Sequence, residues 1–276
     1  MSEISFDLSA PLIDALKARA VDAGVSVDQL AQVLLAEQLG LEHSTIYQVS
    51  TATALVEGVF QGAVNVVDLK EHGDFGLGTF ADLAGEMVVV DGRVYCVPGD
   101  GPVREAADTD PVPFAVICQF DPAKSLGPIE VSSFDELTAA LDAGRGNGND
   151  FYAVRIDGVF ASMHARAVCK VEPGTSLVEA THSQAEFTFD NISGSIVGFW
   201  FPAYAASLNV TGWHLHFLDD TRTHGGHVLQ LSAAGLTVQL QELDDLRISL
   251  PATPEFMSAD LSRDPSAALD QAERAH

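Results

Sequence analysis

With 39 acidic residues against 14 basic ones over 276 positions, the chain carries a formal charge of −25. Such a surface repels phosphate backbones and anionic headgroups, which speaks against nucleic-acid and membrane-surface binding. Its 47% hydrophobic content suffices for a packed core and excludes wholesale disorder, and the length admits one large domain or two ordinary ones.

The opening segment MSEISFDLSA has neither the basic nor the apolar stretch of a secretory signal, so a cytoplasmic location is expected. Ile4, Phe6 and Leu8 alternate as in a short strand, and Ser9 suits the N-cap of a helix starting near Pro11. Leu12, Ile13, Leu16 and Ala20 mark one face of that helix, and Gly24 stops it. Ser26 or Asp28 then starts a second helix carrying Leu30, Val33, Leu34 and Leu39. Strand, helix, turn and helix at this size resemble a ribbon-helix-helix module, which pairs its strand with a second copy. DNA-binding members present basic or polar side chains from the exposed ribbon face. Here Ser5 and Asp7 stand there, so the resemblance implies a dimerisation module over 1–41 without DNA contact, and a homodimer or higher homo-oligomer.

Beyond a linker at 42–44, a strand is expected at 46–49 and a helix at 53–60. Asp91–Gly92 and Asp157–Gly158 each stand between apolar strand-like runs and read as hairpin turns. The shared plan suggests two halves, 45–148 and 149–276, joined at the glycine- and asparagine-rich stretch 146–149. A helix over 134–144 closes the first half. Strands at 195–201, 212–218, 227–231, 236–241 and 247–250, then a short helical tail, make up the second. The class is α+β with mixed sheets. Apolar runs such as 87–90 are far shorter than the roughly 20 residues a membrane span needs. Cys96, Cys118 and Cys169 lack metal-ligand spacing and read as buried small hydrophobes in a reducing compartment.

Four of the nine histidines fall within fourteen residues, His214, His216, His224 and His227. Period-two alternation sets His214 and His216 on one strand face, opposite Trp213, Leu215 and Phe217. With the polar residues 219–223 as a hairpin turn, a symmetric loop brings His227 across from His214. Three imidazoles then converge on one divalent metal with coordination positions left open. Gly225 and Gly226 allow close backbone approach or a bulge, and His224 sits at odd parity, exposed in the turn. Three neutral ligands leave the metal its full charge, which suits Lewis-acid or water-activating chemistry. There is no serine-hydrolase elbow, no His-Glu-x-x-His helix and no phosphate-binding lysine loop.

The run HGDFGLGTF at 72–80, with Gly85, Glu86 and the Asp91–Gly92 turn, resembles the first signature of the alpha-acetolactate decarboxylase family. FDN at 189–191, IVGF at 196–199, GWHLHF at 212–217 and GGHV at 225–228 resemble the second. The likeness runs from about Ile46 into the tail and leaves the N-terminal extension outside. It implies decarboxylation of 2-acetolactate to acetoin and CO₂, with zinc or another divalent ion on His214, His216 and His227. It further implies active-site roles for Thr79, Glu86 and Arg166, and for a tail glutamate matched by Glu273 or, alternatively, Glu255. Neither thiamine diphosphate nor pyridoxal phosphate is required, because the substrate's own ketone can delocalise the carbanion. Glu86 could deliver a proton or ligate the metal. Two other readings remain. One is a cupin-like metal oxygenase, which would want a glutamate after His216 where Asp219 and Asp220 stand. The other is a non-catalytic metabolite-sensing regulator.

Overall fold

The computed structural model describes residues 7–23, 27–39, 44–122, 124–172, 174–182 and 184–273. The chain divides into two compact units, Met1–His43 and Ser44–His276. The first contains α1 (Ala10–Ala23) and α2 (Val27–Leu39). The Ser9 carbonyl accepts from the N–H groups of Leu12 and Ile13, so the helix begins where the sequence places its cap. Ala20 and Leu30 are buried, whereas Leu12, Ile13, Val21 and Leu35 are exposed. The strand expected at Ile4 and Phe6 lies outside the described residues.

The second unit opens with β1 (Thr45–Val49), α3 (Ala52–Val56), β2 (Val64–Asn65), α4 (Val66–Lys70), β3 (Phe75–Thr79), β4 (Glu86–Val90) and β5 (Arg93–Val97). It continues through β6 (Arg104–Glu105), β7 (Pro111–Val112), β8 (Phe114–Cys118), β9 (Lys124–Val131), α5 (Phe134–Gly144), β10 (Phe151–Ala167) and α6 (Leu177–Thr181). The last elements are β11 (Ala185–Phe201), β12 (Gly212–Asp219), β13 (Gly225–Leu243), β14 (Asp245–Ser249), α7 (Pro254–Ser258) and α8 (Ser266–Glu273). These are the mixed sheets and few helices of an α+β protein. Among the described residues no helix is long and apolar enough to cross a membrane.

One sheet has the order β14-β1-β8-β3-β4-β5-β6, antiparallel except where β14 joins β1 in parallel. Its central strands are buried on both faces, which explains their near-continuous apolar sequence. Along β4, Val88 and Val90 face one core while Met87 and Val89 face another. The other sheet has the order β10-β11-β12-β13-β9, and β13 also pairs with β10, closing those four long strands into a ring. Leu215 and Phe217 of β12 pack with Ile156, Phe160 and Val238 in a third core, covered by Leu137 and Leu141 of α5. Leu218, of opposite parity, joins the core shared with β3 and β4. The even-numbered side chains of β12 therefore face the first sheet. Each sheet borrows a strand, β9 entering the second and β14 the first.

Two local expectations need correction. Asp91 and Gly92 have φ of 52° and 74°, the positive pair that a tight hairpin turn requires. Asp157 and Gly158 do not turn; β10 runs straight through them, Asp157 pairing with Ser195 on one side and Thr237 on the other. A register shift follows at once, and a Cβ on Gly158 would stand 2.7 Å from Leu236 Cδ2. That glycine makes room for a core leucine at a bulge. The expected strands 227–231 and 236–241 are likewise one strand, β13, because its partners β10 and β9 continue alongside.

Candidate functional site

The β12–β13 hairpin is organised by Asp219. Its carboxylate, buried in the turn, accepts from the backbone N–H groups of Thr221, Thr223 and His224 and from the Thr221 hydroxyl. Burial pushes this carboxyl up, but the hydrogen bonds of Thr221, His224 and Thr223 outweigh it and hold the group below its usual range. Asp219 is thus engaged in the turn, where a cupin-like reading would seek a further carboxylate ligand. Gly225 and Gly226 supply the close approach expected of them. A Cβ on Gly225 would lie 2.5 Å from the Phe217 carbonyl, and one on Gly226, at φ +141°, 2.5 Å from the Arg166 carbonyl.

The loop sets His227 opposite His216 rather than His214. The shift is two residues, which preserves strand parity, so the three imidazoles still share a face. His214, His216 and His227 are all buried, and the ring nitrogens they offer lie within 4.8 Å of one another. His224, by contrast, is exposed in the turn. The His216 Nδ1–H donates to the Met87 carbonyl on β4 at 2.8 Å, which leaves its Nε2 as a lone pair. The His227 Nε2–H donates to the Glu273 carbonyl at 3.1 Å, leaving its Nδ1 free for a ligand. His214 Nε2 stands 3.1 Å from His216 Nε2, and His214 Nδ1 has no partner among the described residues.

Burial, the charge of Arg166 and the neighbouring rings push these imidazoles toward the neutral form. His216 falls to about 4, and His214 and His227 fall well below their usual range. Without a cation, His214 can donate its Nε2–H to the His216 lone pair; its other tautomer turns a second lone pair toward the same point, where a cation could accept both. Nitrogens about 3.3 Å apart are what two ligands at roughly 2.0–2.1 Å from a tetrahedral Zn²⁺ require. The donor set and its spacing fit a divalent cation.

The other residues implicated by the sequence gather around this cluster. Thr79 and Glu86 are cross-strand partners on β3 and β4, both buried. Glu86 Oε2 lies 3.6 Å from His216 Nε2, and the Thr79 hydroxyl donates to the Gly85 carbonyl at 3.0 Å. Arg166, only 2% exposed, is the β10 partner of His227. One of its terminal nitrogens donates to the Ala272 carbonyl at 2.7 Å and to Glu273 Oε2 at 3.2 Å, closing the site from the last turn of α8. The same Glu273 oxygen is 3.4 Å from His227 Nδ1 and 3.6 Å from His214 Nε2. Glu255 is exposed on α7, so of the two tail candidates Glu273 reaches the cluster. Burial raises the Glu86 carboxyl to about 7 despite Arg166, with Glu273 adding to the rise, and burial raises Glu273 as well.

A cavity of about 40 Å³ is walled by Leu55, Leu83, Phe114 and Leu269 and reached by Thr79, Glu86, Arg166, His214 and Glu273. A larger cleft of about 510 Å³, edged by Trp200 and Trp213, shares His214 and Glu273 with it. Sequence reasoning missed two participants, the Met87 carbonyl and Gln184, whose Oε1 accepts from Arg166 at 3.1 Å. Neither carries a sequence signal, since a carbonyl has no residue type and Gln184 precedes β11 in irregular chain.

Comparison with known proteins gives a consistent picture. The family model for alpha-acetolactate decarboxylase matches residues 46–263, so Glu273 lies beyond the matched segment. An alpha-acetolactate decarboxylase of Brevibacillus brevis is 38% identical over 231 residues, covering 83% of this chain and 81% of the relative. One of Methylococcus capsulatus is also 38% identical, covering 85% and 91%. The crystal structure of alpha-acetolactate decarboxylase from Bacillus subtilis strain 168 superposes with a TM-score of 0.80 at 35% identity, over 83% of this chain and 99% of that one. A Staphylococcus aureus structure, described as of unknown function and similar to alpha-acetolactate decarboxylase, gives 0.76 at 30% identity, over 83% and 97%.

Proposed function

The chain belongs to the alpha-acetolactate decarboxylase family, and from this premise we propose that it decarboxylates 2-acetolactate to acetoin at a divalent metal, Zn²⁺ by preference, held by His214, His216 and His227. The observation that carries the reading is the buried cluster of three neutral imidazoles, two with their second nitrogen tied to a carbonyl, beside the buried Arg166 and Glu86 and the half-buried Glu273. When bound there, the cation supplies a Lewis acid that offsets the charge developing on the substrate's hydroxyl and ketone oxygens.

The substrate carries its carboxylate on the carbon bearing the hydroxyl, next to the ketone. Breaking that carbon–carbon bond releases CO₂ and leaves its electron pair delocalised into the ketone as a singly charged enediolate, the neighbouring hydroxyl keeping its proton, so that one proton delivered to carbon completes acetoin. Arg166 orients the departing carboxylate and then stabilises the enediolate through charge-assisted hydrogen bonds. Burial raises the Glu86 carboxyl to about 7 in the metal-free site, and Glu86 is assigned delivery of a proton to the enediolate carbon. Thr79 fixes the β3–β4 connection behind Glu86 through its bond to Gly85. Glu273 and the end of α8 cover the cluster on the side of Arg166.

The test is acetoin formation from racemic acetolactate, before and after chelation and with zinc restored, with His216→Ala alongside. Activity lost to chelator, recovered with zinc and abolished by the substitution is expected. Full activity in the metal-free enzyme would refute the metal role.

We also infer that residues 1–41 serve as a dimerisation module. A two-helix unit of this length cannot bury a core alone, and Leu12, Ile13, Val21 and Leu35 are exposed on it.

A further inference from the structure

Arg166 is held at two of its three guanidinium nitrogens. One donates to Ala272 and Glu273 of α8, and the other, Nη1, donates to Gln184 Oε1 at 3.1 Å. Its Nε has no partner among the described residues, and the side chain borders the small cavity that also holds Thr79 and Glu86. The plane of the guanidinium, and with it the N–H groups left for a substrate, is therefore set by two supports. The α8 support belongs to the chain's tail; Gln184 is tied to β11 through Glu186.

That anchorage runs outward in a defined order. Gln184 Nε2 donates to Glu186 Oε1 at 3.0 Å, and His164 Nε2 lies 3.1 Å from Glu186 Oε2. Glu186 is in turn the β11 partner of Arg166 on β10. An ionised carboxylate only accepts, so Glu186 forces the amide of Gln184 to present its nitrogen outward and its oxygen to Arg166. An amide oxygen also fixes the guanidinium without cancelling its charge. A carboxylate at that position would add a third acid to an arginine already facing Glu86 and Glu273.

We propose that Gln184 is a positioning residue for decarboxylation, holding Arg166 in the plane that meets the substrate, with Glu186 dictating the orientation of its amide. The proposal rests on the catalytic role given to Arg166 above. Its closing experiment compares Gln184→Met, Arg166→Met and the exchanged pair Gln184→Glu with Glu186→Gln, each checked for bound zinc and melting temperature. Gln184→Met is expected to keep its metal and its melting temperature while losing about 10- to 100-fold in kcat/KM, the range typical of groups that orient active-site residues. The exchanged pair, which again offers Arg166 an oxygen held by an amide donor from position 186 but sets a third acid beside the guanidinium, is expected to recover part of that loss, remaining below the parent and above Gln184→Met. Gln184→Met within twofold of the parent, or an exchanged pair no better than Gln184→Met, overturns the positioning role. If Arg166→Met is itself fully active, the role of Arg166 falls and this proposal falls with it. An inactive Arg166→Met beside an unimpaired Gln184→Met removes the positioning role alone.

Discussion

Replacing Glu86 by glutamine should make the metal-free protein more stable at alkaline pH while removing the proton donor. Glu86 is buried, and its carboxyl rises from 4.5 to about 7 chiefly by desolvation. In the unfolded chain it ionises near 4.5, so between 4.5 and 7 the unfolded state gives up a proton that the native state keeps. Native stability falls across that window as pH rises, and the full penalty is present above 7. Moving one carboxyl this far corresponds to about 3 kcal/mol. An amide does not ionise, so Glu86→Gln escapes the penalty. The gain over the parent should be under about 1 kcal/mol at pH 5 and approach about 3 kcal/mol at pH 8. Urea unfolding of the chelated proteins at pH 5, 6, 7 and 8 measures it directly. A stability difference that is flat across this range refutes the claim that Glu86 is held protonated by burial. Decarboxylase activity of the zinc-loaded variant should fall by about 100-fold, within the range general acids contribute.

Three further outcomes follow from the geometry. Asp219→Ala removes the acceptor of three backbone N–H groups in the β12–β13 turn. It should lower stability by about 2–3 kcal/mol and weaken zinc binding, as read by competition with a chromophoric chelator; unchanged affinity would show that the turn does not set the cluster. Gly226→Ala forces a Cβ to within 2.5 Å of the Arg166 carbonyl at φ +141°. Loss of about 3 kcal/mol or more is expected in thermal unfolding, and a cost under about 1 kcal/mol would mean the backbone there relaxes freely. Deleting residues 1–41 should reduce the mass seen by light scattering while leaving zinc content and activity in place, and an unchanged mass removes the dimerisation module.

Much of the fold and site was legible where the signal is local. The alternation through Trp213, His214, Leu215, His216 and Phe217 determined which histidines share a face, because a strand has period two whatever it packs against. Since that parity survives a shift by two, the triad stood even though His227 pairs with His216. The helix Phe134–Gly144 was likewise readable, its Ser133 cap and apolar face being near neighbours in sequence. Motif resemblance added Thr79, Glu86 and Arg166, which composition and spacing alone would have left as ordinary strand and turn residues.

What only the tertiary structure decided is everything that depends on the far side of a contact. Asp91–Gly92 and Asp157–Gly158 are the same dipeptide, yet one turns and the other runs straight, because strands on both sides pair through Asp157. The resemblance preferred Glu273 to Glu255 only by a gapped match in the tail; it is α8, docking its last turn on Arg166 and His227, that brings Glu273 to the cluster. The tautomer of His216 depends on a carbonyl 129 residues away in the chain. A sequence carries the period of an element, which is set by bonded geometry. Its partners are chosen by burial and hydrogen bonding among segments that meet only in the folded chain.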